Sequence, residues 1–205
     1  LTFLEGTKKF YQITKRLDFD LSKAKVLLIR NEPPFNQQYI NTTFILEHIS
    51  KKVKIINHPK AIREVPEKLF SIKLIKYMPS TLISEDISKI KDFFKKHKKI
   101  IVKPINGYSG NEVILLKTFN TKIINKYLKK HNHVIFQKFL PKISEGDRRV
   151  FIINGKIKGS ISRVPKKNSI LSNMSKGAIA QINKLTSKEI KISKQVATLL
   201  KKNNI

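Results

Sequence analysis

The segment 100–116 restricts the fold more than any other. Two apolar runs, residues 100–102 and 113–116, flank a loop that holds Gly107, Ser109, Gly110 and Asn111. β-Branched residues dominate both runs, so they read as two strands joined by a flexible turn. Gly107 and Gly110 suit positive φ and a close approach of backbone to ligand. The N–H groups of such a turn suit phosphate oxygens. Lys103 ends the first strand, within reach of a phosphate held there. No Gly-Lys-Ser/Thr follows, so this is not a Walker A loop. Taken alone, the segment fits a plain hairpin with a loose turn as well as a phosphate loop.

The rest of the chain alternates strand and helix patterns. Residues 10–17 read as a helix, and residues 26–30 as a strand buried on both faces of a parallel sheet. Residues 31–36 contain Pro33 and Pro34 and form a rigid loop at that strand's carboxyl end. Residues 39–49 read as a helix with Ile40, Phe44, Ile45 and Ile49 inward, residues 53–57 as a strand and residues 62–66 as a linker. The pattern of residues 26–57 is a β-loop-α-β unit. A helix over 67–75 turns Leu69, Phe70 and Leu74 inward; a short strand near 81 and a helix over 87–97, capped by Ser84 or Asp86, come next. A helix over 121–130 buries Ile123, Ile124, Tyr127 and Leu128, and a strand runs from 134 to Pro141. Residues 81–140 thus make a small α+β lobe. Strands over 148–153 and 156–164 meet at Asn154-Gly155, a hairpin turn dipeptide. Residues 165–181 are polar and aperiodic, a long loop of the kind that serves as a lid. Thr186 and Glu189 form a capping box ahead of a helix over 190–201. The domain reading is 1–65, 66–140 and 141–205, with a mobile loop at 165–181.

Composition narrows the class. The 205 residues carry a formal charge of +29, yet only six of the 43 basic residues are arginine. The lysines are spread along the chain among Ile and Asn, which is the vocabulary of an A+T-rich genome rather than a compact nucleic-acid footprint. No apolar run approaches the ~18–20 residues of a membrane helix. With no cysteine there is no disulfide framework, thiolate site or cysteine nucleophile, and a reducing cytoplasm is the default. The five histidines show no metal spacing, and Glu112 reads as a surface strand residue. No initiator Met opens the chain, which is expected to be a fragment.

Several residues now line up as a nucleotide clamp. Lys68 and Lys103 neutralise phosphate charge. N–H groups around Gly107, Ser109 and Gly110 cap terminal phosphates. An extended hinge, Gln137, Lys138, Phe139 and Leu140, offers backbone groups to an adenine edge. Asp147 lies in an acidic turn, and the guanidinium forks of Arg149 and Arg163 suit an acyl phosphate or a carboxylate.

With these residues in view, the sequence resembles the ATP-grasp ligases, and within them the bacterial glutathione synthetase family. The matching stretches are residues 30–35 (Arg-Asn-Glu-Pro-Pro-Phe), 67–70 (Glu-Lys-Leu-Phe), 103–110 (Lys-Pro-Ile-Asn-Gly-Tyr-Ser-Gly), 137–141 (Gln-Lys-Phe-Leu-Pro), 146–150 (Gly-Asp-Arg-Arg-Val) and 162–165 (Ser-Arg-Val-Pro). Their order and spacing follow the family. The Pro-Pro-Phe loop and the Arg-Val-Pro strand end favour it over the D-alanine ligases and glutamate-adding ligases.

The resemblance implies an α/β (α+β) ATP-grasp fold: the end of an amino-terminal parallel α/β domain, a small α+β lid lobe and part of a carboxyl-terminal sheet lobe. It implies ATP-dependent joining of γ-glutamylcysteine and glycine through an acyl phosphate, with Mg2+ or Mn2+, in a cytoplasmic enzyme that is a homo-oligomer at full length. No specific nucleic acid or membrane partner is expected. By the same resemblance Lys68 and Lys103 bind ATP, Gln137 to Leu140 line the adenine pocket, Asp147 lies near the ribose, and Arg149 and Arg163 face the reacting phosphate or substrate carboxylate. Asn173 and Gly177 belong to the loop that closes over the site. That loop departs from the family: an Arg-Gly-Asn and a Gly-Gly-Arg correspond here to residues 171–173 (Leu-Ser-Asn) and 177–179 (Gly-Ala-Ile), so two arginines are missing. The family's magnesium ligands correspond to positions after Ile205, so none is expected within these residues, and the fragment alone is expected to be inactive. The rival readings are another carboxylate–amine ligase, an inactive remnant of the fold, and a basic nucleic-acid-binding protein.

Overall fold

The strands gather into four small sheets, described in a computed structural model for residues 2–3, 11–131 and 133–205. At the amino end β1 (Thr2–Phe3) pairs antiparallel with β2 (Tyr11–Gln12). The helix expected over 10–17 does not form: Tyr11 and Gln12 are strand, residues 13–20 are irregular, and all of them are exposed. Phe10 itself lies outside the described residues. A short helix with no surface against which to bury its apolar stripe is marginal in water.

The β-loop-α-β unit is present. β3 (Val26–Leu28) and β4 (Lys54–Ile56) pair in parallel, with Leu27 opposite Ile55, and α1 (Gln37–Glu47) joins them. Asn36 caps α1 by accepting from the amide of Tyr39. The unit has its own small core of Leu46, Val53 and Ile55, with Leu27 and Ile49 against it. The expectation of a strand buried on both faces is corrected: Val26 and Leu28 are 52% and 60% exposed. The buried stripe of α1 is also rotated from the one expected. Thr43 and Leu46 point inward, while Phe44 and Ile45 are exposed.

The cause is a helix where a linker is expected. α2 (Pro59–Glu64) packs on α1, opened by Pro59 in its first turn. Arg63 of α2 donates to Thr43 Oγ1 at 3.2 Å, pairs with Glu47 and lies over the Phe44 ring. The linker shrinks to Val65 and Pro66.

Next come α3 (Glu67–Phe70) and a 3-10 helix (Ser71–Tyr77) that is broken at Leu74. Phe70 and Leu74 are half-buried, but Leu69 is exposed. The small lobe follows in the expected order: β5 (Thr81–Ile83), α4 (Ile87–His97), β6 (Ile100–Pro104), β7 (Ile114–Leu116), α5 (Thr121–His131) and β8 (Val134–Lys138). Its sheet is antiparallel in the spatial order β5-β8-β6-β7.

Strand alternation gives this sheet two different faces. Ile100, Val102, Val134 and Phe136 point to one face and pack on Ile90 of α4 and Ile124 of α5. Ile101, Lys103, Ile135 and Gln137 point to the other face, which carries neither helix. Asp86 caps α4 by accepting from the amides of Ser88 and Lys89. Of the α5 side chains expected inward, Ile124 is fully buried and Ile123 is exposed.

The third unit begins with a 3-10 turn (Pro141–Glu145) and a long hairpin, β9 (Asp147–Ile153) and β10 (Lys156–Val164). β10 also pairs with β11 (Ile179–Ile182), a strand inside the stretch expected to be loop. Its backbone finds a partner in β10 while its side chains find none, and Ile182 is 96% exposed. α6 (Ser187–Lys201) follows with the capping box in place, Thr186 Oγ1 accepting from the Glu189 amide and the Glu189 carboxylate accepting from the Thr186 amide. No helix of the described residues is long and apolar enough to cross a membrane.

Candidate nucleotide site

The face of the small-lobe sheet away from α4 and α5 positions Lys103. Its ammonium donates to Gln137 Oε1 at 2.9 Å, and Gln137 Nε2 donates to Thr81 Oγ1 at 2.8 Å. A neutral amide thus orients the lysine without cancelling its charge. Burial, and next the charge of Lys68, push the Lys103 ammonium below its ordinary pKa, with Glu67 acting weakly against them. A charge kept in such a place is costly unless an anion joins it.

α3 covers this face and brings Lys68 over it. The Lys68 ammonium donates to the carbonyl of Gly107 and lies 3.8 Å from the exposed Glu67 carboxylate. A cavity of about 280 Å³ results, lined by Lys68, Lys103, Gln137, Thr81, Ile135 and Met78, among others. Its lining sets the apolar side chains of Ile72, Met78, Ile83 and Ile135 beside an equal share of polar groups.

The loop between β6 and β7 forms a flap. Gly110 has a φ of 72°, in the left-handed region, as expected. Gly107 does not, which corrects the reading for that residue. There a Cβ would lie 2.6 Å from Pro104 Cγ, so the glycine serves close packing instead. Ser109 and Glu112 take the other left-handed conformations, at φ 54° and 58°. The amides of Gly107 and Asn111 are used within the flap. Those of Tyr108, Ser109 and Gly110 donate to no acceptor among the described residues.

Beneath the flap is a second cavity, of about 360 Å³. It brings together Lys68, Lys103, Gly107, Ser109, Gly110, Arg149, Arg163 and Asn173. Eight of the residues singled out in the sequence therefore meet in one place.

Sheet register decides which arginines reach it. Asp147 stands opposite Arg163 and Ile161 opposite Arg149, so Arg149 and Arg163 share a face. Arg148 points the other way and pairs with Glu189 of α6 at 2.8 Å. Arg163 donates from Nε and Nη2 to the two Asp147 oxygens, at 2.8 and 2.5 Å. That bidentate pairing raises the guanidinium pKa further. It leaves Nη1 without a protein acceptor among the described residues. Arg149 has no carboxylate partner among the described residues.

The remaining expected residues fall elsewhere. Asp147 lines neither cavity; its carboxylate holds Arg163. Lys138, Phe139 and Leu140 also line neither cavity. The Lys138 side chain is on the helix-bearing face near His97, and the Lys138 and Phe139 amides already donate to Ser80 and Lys99 carbonyls. Two of the four hinge amides, those of Lys138 and Phe139, are thus used within the protein. Gly177 lies under the end of the Lys166 side chain, where a Cβ would come within 2.1 Å of Cε. The loop nevertheless touches the flap: a Cβ on Gly110 would come within 2.6 Å of Asn173 Oδ1, and Ser109 Oγ is 3.4 Å from Ser175 Oγ. Reading the sequence missed Thr81 and Met78, because no local pattern ties an edge strand to residues 56 positions away. Among the described residues no group of three or more His, Asp or Glu side chains could hold a metal ion.

The family of this chain follows from its sequence. Residues 67–205 match the model of the prokaryotic glutathione synthetase ATP-grasp domain, and residues 1–63 that of the prokaryotic glutathione synthetase N-terminal domain. The chain belongs to the prokaryotic glutathione synthetase family. Among curated relatives in this family, a glutathione synthetase of Bradyrhizobium diazoefficiens is 34% identical over 189 residues, 90% of this chain and 60% of that protein. A glutathione synthetase of Buchnera aphidicola is 32% identical over 209 residues, 98% of this chain and 65% of that protein. The chain thus spans less than two thirds of the length of these relatives. Among solved structures, D-cycloserine synthetase DcsG superposes with a TM-score of 0.65 at 14% identity, over 88% of this chain and 67% of that one. At that identity the likeness is one of fold. The fold is that of the ATP-grasp proteins, a mixed α/β architecture, as expected.

Proposed function

We propose that this chain carries the nucleotide and phosphoryl-handling region of an ATP-dependent ligase that joins γ-glutamylcysteine to glycine. One observation carries the reading. Lys68, Lys103, Arg149 and Arg163 converge on one cavity under a flap whose Tyr108, Ser109 and Gly110 amides donate to no acceptor among the described residues, and only Glu67 among the lining residues is acidic. A cavity so charged selects a polyanion, and the neighbouring cavity, with Ile72, Met78, Ile83 and Ile135 beside hydrogen-bonding groups, can take a purine base. Under the domain division read from the sequence, at 66 and 141, the smaller cavity lies within the middle unit, while the larger draws its lining from all three.

In this reading the substrate carboxylate oxygen attacks the γ-phosphorus of ATP, giving an acyl phosphate and ADP. The glycine amine then attacks the acyl carbon, and inorganic phosphate leaves. Lys68 and Lys103 hold phosphate oxygens. The flap amides cap the terminal phosphoryl group. Asp147 holds Arg163 so that its free Nη1, together with Arg149, faces the charge that develops. No side chain is a covalent nucleophile, and the rate enhancement comes from positioning and charge neutralisation. A divalent metal accompanies ATP in such chemistry, but the described residues do not fit a metal site, and no step is assigned to one.

Calorimetric titration of ATP, with and without magnesium, tests this. The expected result is binding that weakens at least about tenfold in Lys103→Met, the loss of one charge-assisted contact. No ATP binding by the parent chain, together with duplex DNA binding of steep salt dependence, would sink the proposal in favour of a polyanion-binding protein.

A further inference from the structure

The carboxyl-terminal arm of the flap is tied down by a cluster that the nucleotide reading leaves unused. Glu112 is exposed, as expected from the sequence, but it is not in a strand: it precedes β7 and has a φ of 58°. That backbone region is unfavourable for a residue with a Cβ and persists where surrounding contacts over-determine it. Here α5 supplies them. The Tyr127 hydroxyl donates to the Glu112 carbonyl, and the Lys130 ammonium donates to the Glu112 carboxylate. His131 Nε2 lies 3.3 Å from the same carboxylate without hydrogen-bond alignment.

These residues belong together on α5. Positions 127, 130 and 131 are spaced i, i+3 and i+4, so they share one helix face. The Tyr127 and His131 rings pair at 5.4 Å. On the neighbouring side the flap faces a cavity of about 450 Å³, lined also by Pro34 and His133. Among the described residues the flap's own backbone bonds are those of the Gly107 and Asn111 amides.

We propose that Glu112 is the anchor of the flap, and that Tyr127, Lys130 and His131 are positioning residues that hold the flap amides over the phosphate cavity. Without the anchor the flap keeps only its contacts with Lys68, Asn173 and Ser175 at the other arm, and its Glu112 end loosens from α5. The consequence for nucleotide rests on the function proposed above; the anchoring itself does not.

The test uses the whole chain. Backbone 15N order parameters at residues 107–112 are compared between the parent, Glu112→Gln/Tyr127→Phe, and Lys126→Ala as a control on the exposed face of α5. The expected change in the double variant is from the rigid range, about 0.85, to below about 0.6, with β6 and β8 unaltered. Lys130→Arg keeps the rigid values, because a guanidinium reaches the same carboxylate. ATP affinity in the double variant weakens about fivefold, while AMP, which lacks the phosphates under the flap, binds as before. Unchanged order parameters overturn the proposal. A loosened flap with full ATP affinity overturns the positioning role. If the parent binds no ATP, the nucleotide reading falls, and the order parameters alone decide the anchor.

Discussion

Replacing Asp147 with Asn should cost about 2 kcal/mol of folding stability, a value set by where the ion pair lies. Exposed pairs contribute about 0–1 kcal/mol. Breaking a fully buried pair costs about 3–5 kcal/mol, because a charge is left uncompensated. The Arg163 side chain is 13% exposed and that of Asp147 is 35% exposed, so this pair lies between the limits. Two aligned contacts at 2.8 and 2.5 Å put it above the midpoint of a solvated pair, and access of water to Asp147 keeps it below the buried limit. For a chain of this size that corresponds to a fall in Tm of about 4–8 °C. The assay is a double-mutant cycle of Asp147→Asn, Arg163→Gln and their combination, read by urea denaturation. The coupling expected is about 1.5 kcal/mol, since the single changes remove the same pair. Coupling below about 0.5 kcal/mol would mean that the two side chains do not hold one another, and the argument that Asp147 aims Arg163 would fail.

Other perturbations separate packing from chemistry. Gly146→Ala should destabilise by more than about 2 kcal/mol, because its φ is 97° and a Cβ would meet the Arg163 carbonyl oxygen at 2.7 Å, a backbone atom that cannot move aside; an unchanged denaturation midpoint would refute this. Lys103→Met should raise Tm while weakening ATP binding at least about tenfold. Because the folded protein lowers the pKa of Lys103, the parent carries a cost below that lowered value, and its stability relative to the variant should recover as pH rises through it. Ser109→Cys with Ser175→Cys should form a disulfide on oxidation in this cysteine-free chain, since the two oxygens are 3.4 Å apart; no crosslink by mass spectrometry would show that flap and loop do not meet. Glu189 has its pKa lowered, first by the Thr186 amide, so its contribution is present above the ordinary carboxylate value and is lost as pH falls through the lowered one. Glu189→Gln should flatten that acid limb of the stability curve, measured by thermal unfolding between pH 5 and about pH 2.

What the sequence determined by itself is local. The apolar period of α4 and α5, the caps at Asp86 and Thr186, the Asn154-Gly155 turn and the hairpin around Lys103 all depend on residues a few positions apart, where side-chain spacing and backbone preference act directly. The ordered motifs also carried the family, because each is a contiguous run. The tertiary structure decided what depends on pairing across distance. α2 is too short for a period to show, β11 exists because β10 offers an edge, and α1 turns its Thr43 side inward because Arg63 packs there. In the site, Lys103 meets a neutral Gln137, Arg163 meets Asp147, and Arg149 rather than Arg148 faces the cavity, all through strand register. A one-residue shift of β9 would exchange the two arginines and leave every local signal in the chain unchanged.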